Sequence, residues 1–73
     1  MMMKNLNTVH VRYDGRSFDL AFDELGVTME SPDVVVHEAL ARRFDLPRHT
    51  FRGHVVERHR AGSMTVRPEA VFG

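Results

Sequence analysis

SPDVVVHEALARRFDL, residues 31–46, decides the fold, because it is the only stretch of the chain with several independent helix signals. Ser31 is suited to cap a helix with its hydroxyl, and Pro32 suits the first helical position, which needs no backbone donor. Asp33 places negative charge at the positive end of the helix dipole, and two arginines lie near the opposite end. The sequence therefore predicts one helix over these residues.

One side of this predicted helix is apolar. Val36, Leu40 and Phe44 recur every four residues and are flanked by Val35 and Ala39, which is the spacing of a single helical face. A helix of this length is marginally stable alone in water. We therefore expect it to lie on a sheet formed by the extended sequence on both sides of it.

The sequence before the helix predicts a β-hairpin. Apolar and polar residues alternate in residues 9–13 and again in residues 17–22, and Asp14-Gly15 lies between the two runs. Asp-Gly favours a two-residue type I′ turn. Such a turn sets these pairs: Arg12 with Ser17, Val11 with Phe18, His10 with Asp19, and Val9 with Leu20. This register puts both apolar sets on one face, as a half-buried sheet requires.

After the helix, residues 50–59 and residues 64–67 contain strand formers, with a turn at residues 60–63 between them. The simplest register places His59 opposite Met64 and Glu57 opposite Val66, so that apolar side chains oppose polar ones. A bulge or a longer loop would change this register, and the sequence does not choose between them.

The order of elements is strand, strand, helix, strand, strand. A right-handed crossover through the helix places a later strand parallel to the first one, beside it in the sheet. The sequence predicts an α+β fold: a four-stranded mixed sheet in the order 2-1-4-3, with one helix on one face and solvent on the other. Residues 1–7 have no periodicity and are predicted to be disordered. Residues 8–73 are predicted to form a single domain. The connector from Asp23 to Glu30 is expected to return Leu25, Val27 and Met29 to the core.

The hairpin VHVRYDGRSFDLAF, the helix SPDVVVHEALARRFDLP, the later strands and the terminal glycine together resemble the ubiquitin-like β-grasp fold. The resemblance covers residues 8–73 and is one of order, length and pattern. Ubiquitin-like modifiers and the related sulfur carriers of thiamine and molybdopterin synthesis typically end in Gly-Gly, whose carboxylate is adenylated and then conjugated or thiolated. This chain ends in Phe72-Gly73, so the resemblance carries over such chemistry to Gly73 alone. Many β-grasp domains instead bind partners without any conjugation chemistry.

Composition narrows the function classes. Ten basic and ten acidic residues cancel, so net charge does not draw the chain towards nucleic acid or membrane. The chain has no cysteine, which fits a reducing compartment, and no signal-peptide or membrane-span pattern, so we expect a cytoplasmic protein. Nine arginines against one lysine are typical of GC-rich bacterial genomes.

The histidines do not form a metal-site pattern. His49, His54 and His59 are five residues apart, so consecutive members point to opposite faces of a strand, whereas zinc needs three or four converging ligands. Ser17 lacks the context of a nucleophile, and no pair of carboxylates is placed in one cavity. The sequence predicts no metal, no cofactor and no enzyme activity.

Arginines concentrate in the second half of the chain, at Arg48, Arg52, Arg58, Arg60 and Arg67. Such a concentration suits an acidic partner or a nucleic-acid backbone. Acidic residues interrupt it, and no exposed aromatic run accompanies it for base stacking. A solvated sheet face is therefore the favoured interpretation, and nucleic-acid binding the weaker one.

The leading hypothesis is a small non-enzymatic protein-interaction module, monomeric or weakly dimeric, with an unidentified protein partner. Its expected contact surface is the exposed sheet face and the tail, formed by His54, Glu57, Arg58, Val71, Phe72 and Gly73. The alternative is a modifier or sulfur carrier acting through Gly73, and a weaker alternative is a nucleic-acid accessory protein.

Overall fold

A computed structural model describes residues 6–69 of the chain. The described residues form four strands and two helices: β1 (Thr8–Tyr13), β2 (Arg16–Ala21), α1 (Phe22–Leu25), α2 (Asp33–Arg43), β3 (His54–His59) and β4 (Ser63–Pro68). Neither helix is long and apolar enough to cross a membrane.

The strands form one mixed sheet in the order β2-β1-β4-β3. β1 pairs antiparallel with β2 and parallel with β4, and β3 pairs antiparallel with β4. The predicted α+β architecture and strand order are confirmed. The prediction of a single helix is wrong, because α1 adds one helical turn directly after β2.

The first hairpin has the predicted register. All four predicted pairs are present, and Thr8 with Ala21 and Tyr13 with Arg16 extend the ladder at both ends. Asp14 and Gly15 have φ angles of 57° and 74°, which are the two positive values that a type I′ turn requires.

The second hairpin differs from the simplest register by one residue. Its loop is residues 60–62, so Ser63 belongs to β4 and pairs with His59. Val56 consequently lies opposite Val66, and apolar side chains of both strands share the helix side. Gly62 supplies the unusual backbone that the shorter loop needs, with φ at 101°.

α2 is shorter than predicted at both ends. Pro32 occupies the N-cap position and its carbonyl accepts the first helical bonds, while the Ser31 hydroxyl accepts a bond from the Thr28 amide at 2.9 Å. The predicted Ser31 cap is therefore wrong. At the other end, Asp45 adopts the left-handed conformation with φ at 59°. The Leu46 amide then donates to the Ala41 carbonyl at 2.8 Å, a Schellman closure in which aspartate takes the position usual for glycine.

The core lies between α2 and one face of the sheet. Its fully buried large side chains come from β1, α2, the loop before β3, and β4. They are Val9, Val11, Val36, Leu40, Phe51, Met64 and Val66. Val36, Leu40 and Ala39 are buried as predicted, and Phe44 packs half-buried against Phe18, with ring centroids 5.0 Å apart. Val35 is 41% exposed, because it lies off the stripe that meets the sheet.

The segment between β2 and α2 packs on the core, as predicted for Leu25, Val27 and Met29. Asn7, predicted to lie in a disordered start, joins two distant parts of the backbone: its amide donates to the Gly62 carbonyl and its carbonyl accepts from the Phe22 amide, both at 2.8 Å. Residue 7 therefore belongs to the folded part of the chain.

Candidate functional site

The sheet face opposite α2 carries a row of polar residues that crosses all four strands. Asp19 of β2 lies beside His10 of β1, His10 beside Thr65 of β4, and Thr65 beside Glu57 of β3. We call this side of the sheet the open face. The row exists because side chains alternate along each strand, and the apolar neighbours of these residues point to the core.

Short polar contacts hold the side chains of the open face in place. His10 Nδ1 lies 2.7 Å from Asp19 Oδ1, and His59 Nε2 lies 2.7 Å from Thr65 Oγ1. The Arg67 guanidinium donates to Glu57 Oε2, also at 2.7 Å. These contacts link neighbouring strands with groups of both charge signs, so the open face is a polar surface of defined geometry.

The contact between Arg67 and Glu57 also changes their protonation. The hydrogen bond from Arg67, followed by its positive charge, lowers the pKa of the Glu57 carboxyl, and the same contact raises the pKa of Arg67. Glu57 is therefore ionised throughout the neutral pH range.

The three β3 residues predicted to share the exposed sheet face do not do so. Glu57 lies on the open face, but His54 and Arg58 point to the helix side, because their neighbour Val56 between them faces the core. The prediction that they form one exposed surface is wrong. Successive side chains of a strand point to opposite faces, so residues 57 and 58 cannot lie on the same face of the sheet.

Arg58 connects β3 to the start of α2. Its guanidinium donates to the Met29 carbonyl at 3.1 Å, to the Ser31 carbonyl, and to Asp33 Oδ1 at 2.8 Å. It therefore satisfies backbone acceptors in the turn before the helix and pairs with a carboxylate in the first helical turn. This is a structural role, since the charged end of the side chain is already engaged.

The His54 side chain extends from the start of β3 to the side of the sheet that carries α2. Its ring meets Phe51 edge-on with centroids 4.9 Å apart, and its backbone carbonyl accepts a hydrogen bond from His37 Nε2 at 3.0 Å. The ring Nε2 is buried without a hydrogen-bond partner among residues 6–69. Burial, and secondly the charge of His37, lower the pKa of His54 against an opposing hydrogen bond with the Arg12 backbone.

The remaining predicted contact residues, Val71, Phe72 and Gly73, lie outside the described residues, as does any chemistry at Gly73. Within residues 6–69, no group of three or more histidine, aspartate or glutamate side chains is arranged to hold a metal ion. Roles for the tail in partner binding or conjugation stay predictions.

The sequence predicts part of the open face. The facing of His10 and Asp19 was predicted from the Asp-Gly turn and is confirmed. Thr65 and Arg67 are not predicted as members of this face, because the sequence leaves the register of the second hairpin open. Requiring the apolar residues of both strands to share one face would have found them.

Comparison with models of known protein families, with curated proteins and with solved structures found no match.

Proposed function

We propose that this chain is a non-enzymatic protein-interaction module of the ubiquitin-like β-grasp fold, and that it binds its partner through the open face. The observation that carries the proposal is the row from Asp19 to Glu57, which aligns side chains of all four strands on the side of the sheet that α2 leaves uncovered.

The topology supports the fold part of this proposal. Two hairpins flank a helix that crosses one sheet face, and the first and last strands are parallel neighbours at the sheet centre. This is the arrangement expected from the resemblance to β-grasp proteins. Fold alone does not decide function, so the functional part depends on the open face.

The chemistry of the open face suits a transient protein partner. Non-obligate interfaces are about as polar as ordinary protein surface, and arranged charges of both signs give specificity and faster association more than raw affinity. Because His10, Thr65 and Glu57 are held by short contacts, little side-chain freedom would be lost on binding. The partner should present charged groups of both signs in a complementary pattern.

Site-specific photo-crosslinking tests this proposal. A photoreactive residue is placed at Thr65 on the open face or, as the matched control, at Arg42 on the exposed side of α2. The expected result is one reproducible crosslinked partner in cells of the native host from position 65 and none from position 42. Crosslinks from position 42 alone, or from neither position, would contradict it.

Charge reversal then tests whether the open face determines affinity for the crosslinked partner. Arg12→Glu changes an exposed arginine of β1 on the open face, and Arg42→Glu makes the same change on α2. We expect only Arg12→Glu to weaken binding. A chain ending at Glu69 tests the tail separately: loss of binding there, with Arg12→Glu unaffected, would move the contact surface from the open face to residues 70–73.

A further inference from the structure

A cleft of about 180 Å³ lies on the helix side of the molecule, away from the open face. Its walls are the N-terminal half of α2 and the loop that leads into β3. Its lining combines two arginines, two histidines, one carboxylate and one apolar side chain: Arg48, Arg52, His37, His49, Glu38 and Val34. No other described cleft gathers so many basic groups.

The loop wall is a series of turns with a buried anchor. The Thr50 amide donates to the Pro47 carbonyl at 2.9 Å, the Arg52 amide to the His49 carbonyl at 3.1 Å, and the His54 amide to the Phe51 carbonyl at 2.9 Å. Phe51 is fully buried. The backbone that carries the basic residues is therefore held in place, and their side chains line the cleft together with residues of α2.

The helix wall is equally defined. His37 Nε2 lies 3.0 Å from the His54 carbonyl, and because a carbonyl only accepts, this nitrogen carries the proton. Nδ1 is then the ring nitrogen that is able to gain a proton and donate to a ligand. Glu38 Oε2 lies 3.8 Å from Arg48 Nε, so the carboxylate that would repel an anion is partly offset by one arginine.

The lining of the cleft has an excess of positive charge. The whole chain has no net charge, yet the cleft holds two arginines against one glutamate even with both histidines neutral. Its volume is below the usual 300–1,000 Å³ of sites for drug-sized ligands, which favours a small ligand.

We infer that this cleft binds a small phosphate-bearing anion, with Arg52, His37 and His49 as its hydrogen-bond donors beside the Arg48–Glu38 pair. Guanidinium and imidazolium groups suit phosphate oxygens because their hydrogen bonds are charge-assisted. The site is independent of the open face, so an interaction module would carry a small-anion site on its opposite side.

The test is a titration of the isotope-labelled full chain with inorganic pyrophosphate, followed by NMR at low ionic strength. The measurement is made near pH 6, within the range in which histidine side chains commonly serve as pH-dependent donors. We expect saturable shifts confined to the loop at residues 47–53, the first two turns of α2, and the His37 and His49 ring signals. Shifts that do not saturate, or that lie elsewhere, would overturn the inference.

Three variants separate a specific site from general attraction. Arg52→Ala should weaken pyrophosphate binding by about tenfold or more, since it removes a charge-assisted donor. Arg60→Ala, in the β3–β4 loop outside the cleft, changes the net charge equally and should leave the affinity unchanged. Glu38→Gln should strengthen binding, because it removes the one negative charge of the lining.

Equal weakening by Arg52→Ala and Arg60→Ala would overturn the site, since only the summed charge would then matter. A single-stranded oligonucleotide serves as a competitor. If it binds more tightly than pyrophosphate and loses affinity in both arginine variants, the basic second half is a nucleic-acid surface instead. Unchanged circular dichroism of Arg52→Ala, or partial recovery by Arg52→Lys, excludes misfolding as the cause of any loss.

Discussion

The two hairpins of the sheet have strands of equal length, but their registers depend on different interactions. In the first, residues 14 and 15 both have positive φ, and this two-residue turn sets every pair of the ladder. In the second, the loop at residues 60–62 contains a single positive-φ residue, Gly62, whose carbonyl is bound by the Asn7 amide. Its strand β3 is also attached to α2 by Arg58.

The difference shows which contacts determine the strand register of a hairpin. In the first hairpin, consecutive residues determine the register, because the Asp-Gly turn and the alternating pattern favour the same strand pairs. The second needs contacts distant in sequence: Asn7 at Gly62, Arg58 at the start of α2, and the packing of Val56 and Val66 below the helix. Variants that affect the two hairpins unequally would sharpen this comparison.

The largest expected effect is the loss of both hairpins together, because both pack on the same helix. Leu40→Asp should unfold the domain. Leu40 is fully buried. Truncation of such a side chain alone lowers the free energy of unfolding by about 2–5 kcal/mol, which is as much as a core of this size supplies. The unpaired charge of the aspartate adds to this cost. Circular dichroism and NMR dispersion measure the loss. Val35→Asp, at a 41% exposed site of α2, should stay folded. A folded Leu40→Asp protein would contradict the packing of α2.

The next effect compares the two turns directly. Gly62→Ala should lower the free energy of unfolding by about 2–3 kcal/mol, because φ at 101° lies outside the left-handed region that alanine tolerates. Gly15→Ala should cost about 1 kcal/mol, since φ at 74° lies close to that region. Urea denaturation measures both.

The added methyl group at residue 62 would also come within 2.9 Å of Leu6 Cδ1. Leu6 is 40% exposed and its side-chain end is free to move. The cost of Gly62→Ala should therefore be nearly the same in a Leu6→Ala background. A large reduction there would assign the cost to the steric contact instead of the backbone.

A smaller effect tests the attachment of β3 to the helix. Arg58→Ala should cost about 1–2 kcal/mol, because it removes three hydrogen bonds that join β3 to residues 29–33. Arg67→Ala on the open face is the matched control and should change stability little, since exposed ion pairs contribute little. Hydrogen exchange should show faster opening of β3 in the Arg58 variant and unchanged protection of β2. Equal effects of the two variants would contradict a special role for Arg58.

The smallest effect is a pH dependence of the second hairpin. The lowered pKa of His54 means that the unfolded chain binds a proton more readily than the folded one. Stability should therefore fall as pH decreases below 6.5, the pKa of an ordinary histidine, and level off below the folded-state pKa. Urea midpoints between about pH 7.5 and 5.5 measure it.

His54→Gln should remove much of this slope, whereas His49→Gln, at an exposed loop position, should preserve it. An unchanged slope in His54→Gln would assign the effect to another histidine. The ionisation of Glu57 does not enter this range, because its pKa is lowered from 4.5.

Half of the candidate surface followed from sequence and half did not. His10 and Asp19 were placed together because two residues of turn chemistry determine where each side chain of the first hairpin points. Thr65 and Arg67 were not, since the turn at residues 60–63 admits several loop lengths. His54 and Arg58 were assigned to the wrong face, although alternation around Val56 separates them from Glu57.

The sequence by itself determined the first hairpin, the position of the helix, its apolar stripe and the strand order, because each depends on local turn chemistry, periodicity and the handedness of crossovers. Only the tertiary structure decided the ends of α2, where Pro32 and Asp45 replace the expected capping pattern. It also decided the register of the second hairpin and the direction of the β3 side chains. These depend on contacts between residues far apart in the chain, whose energies are known only once the sheet and helix are packed together.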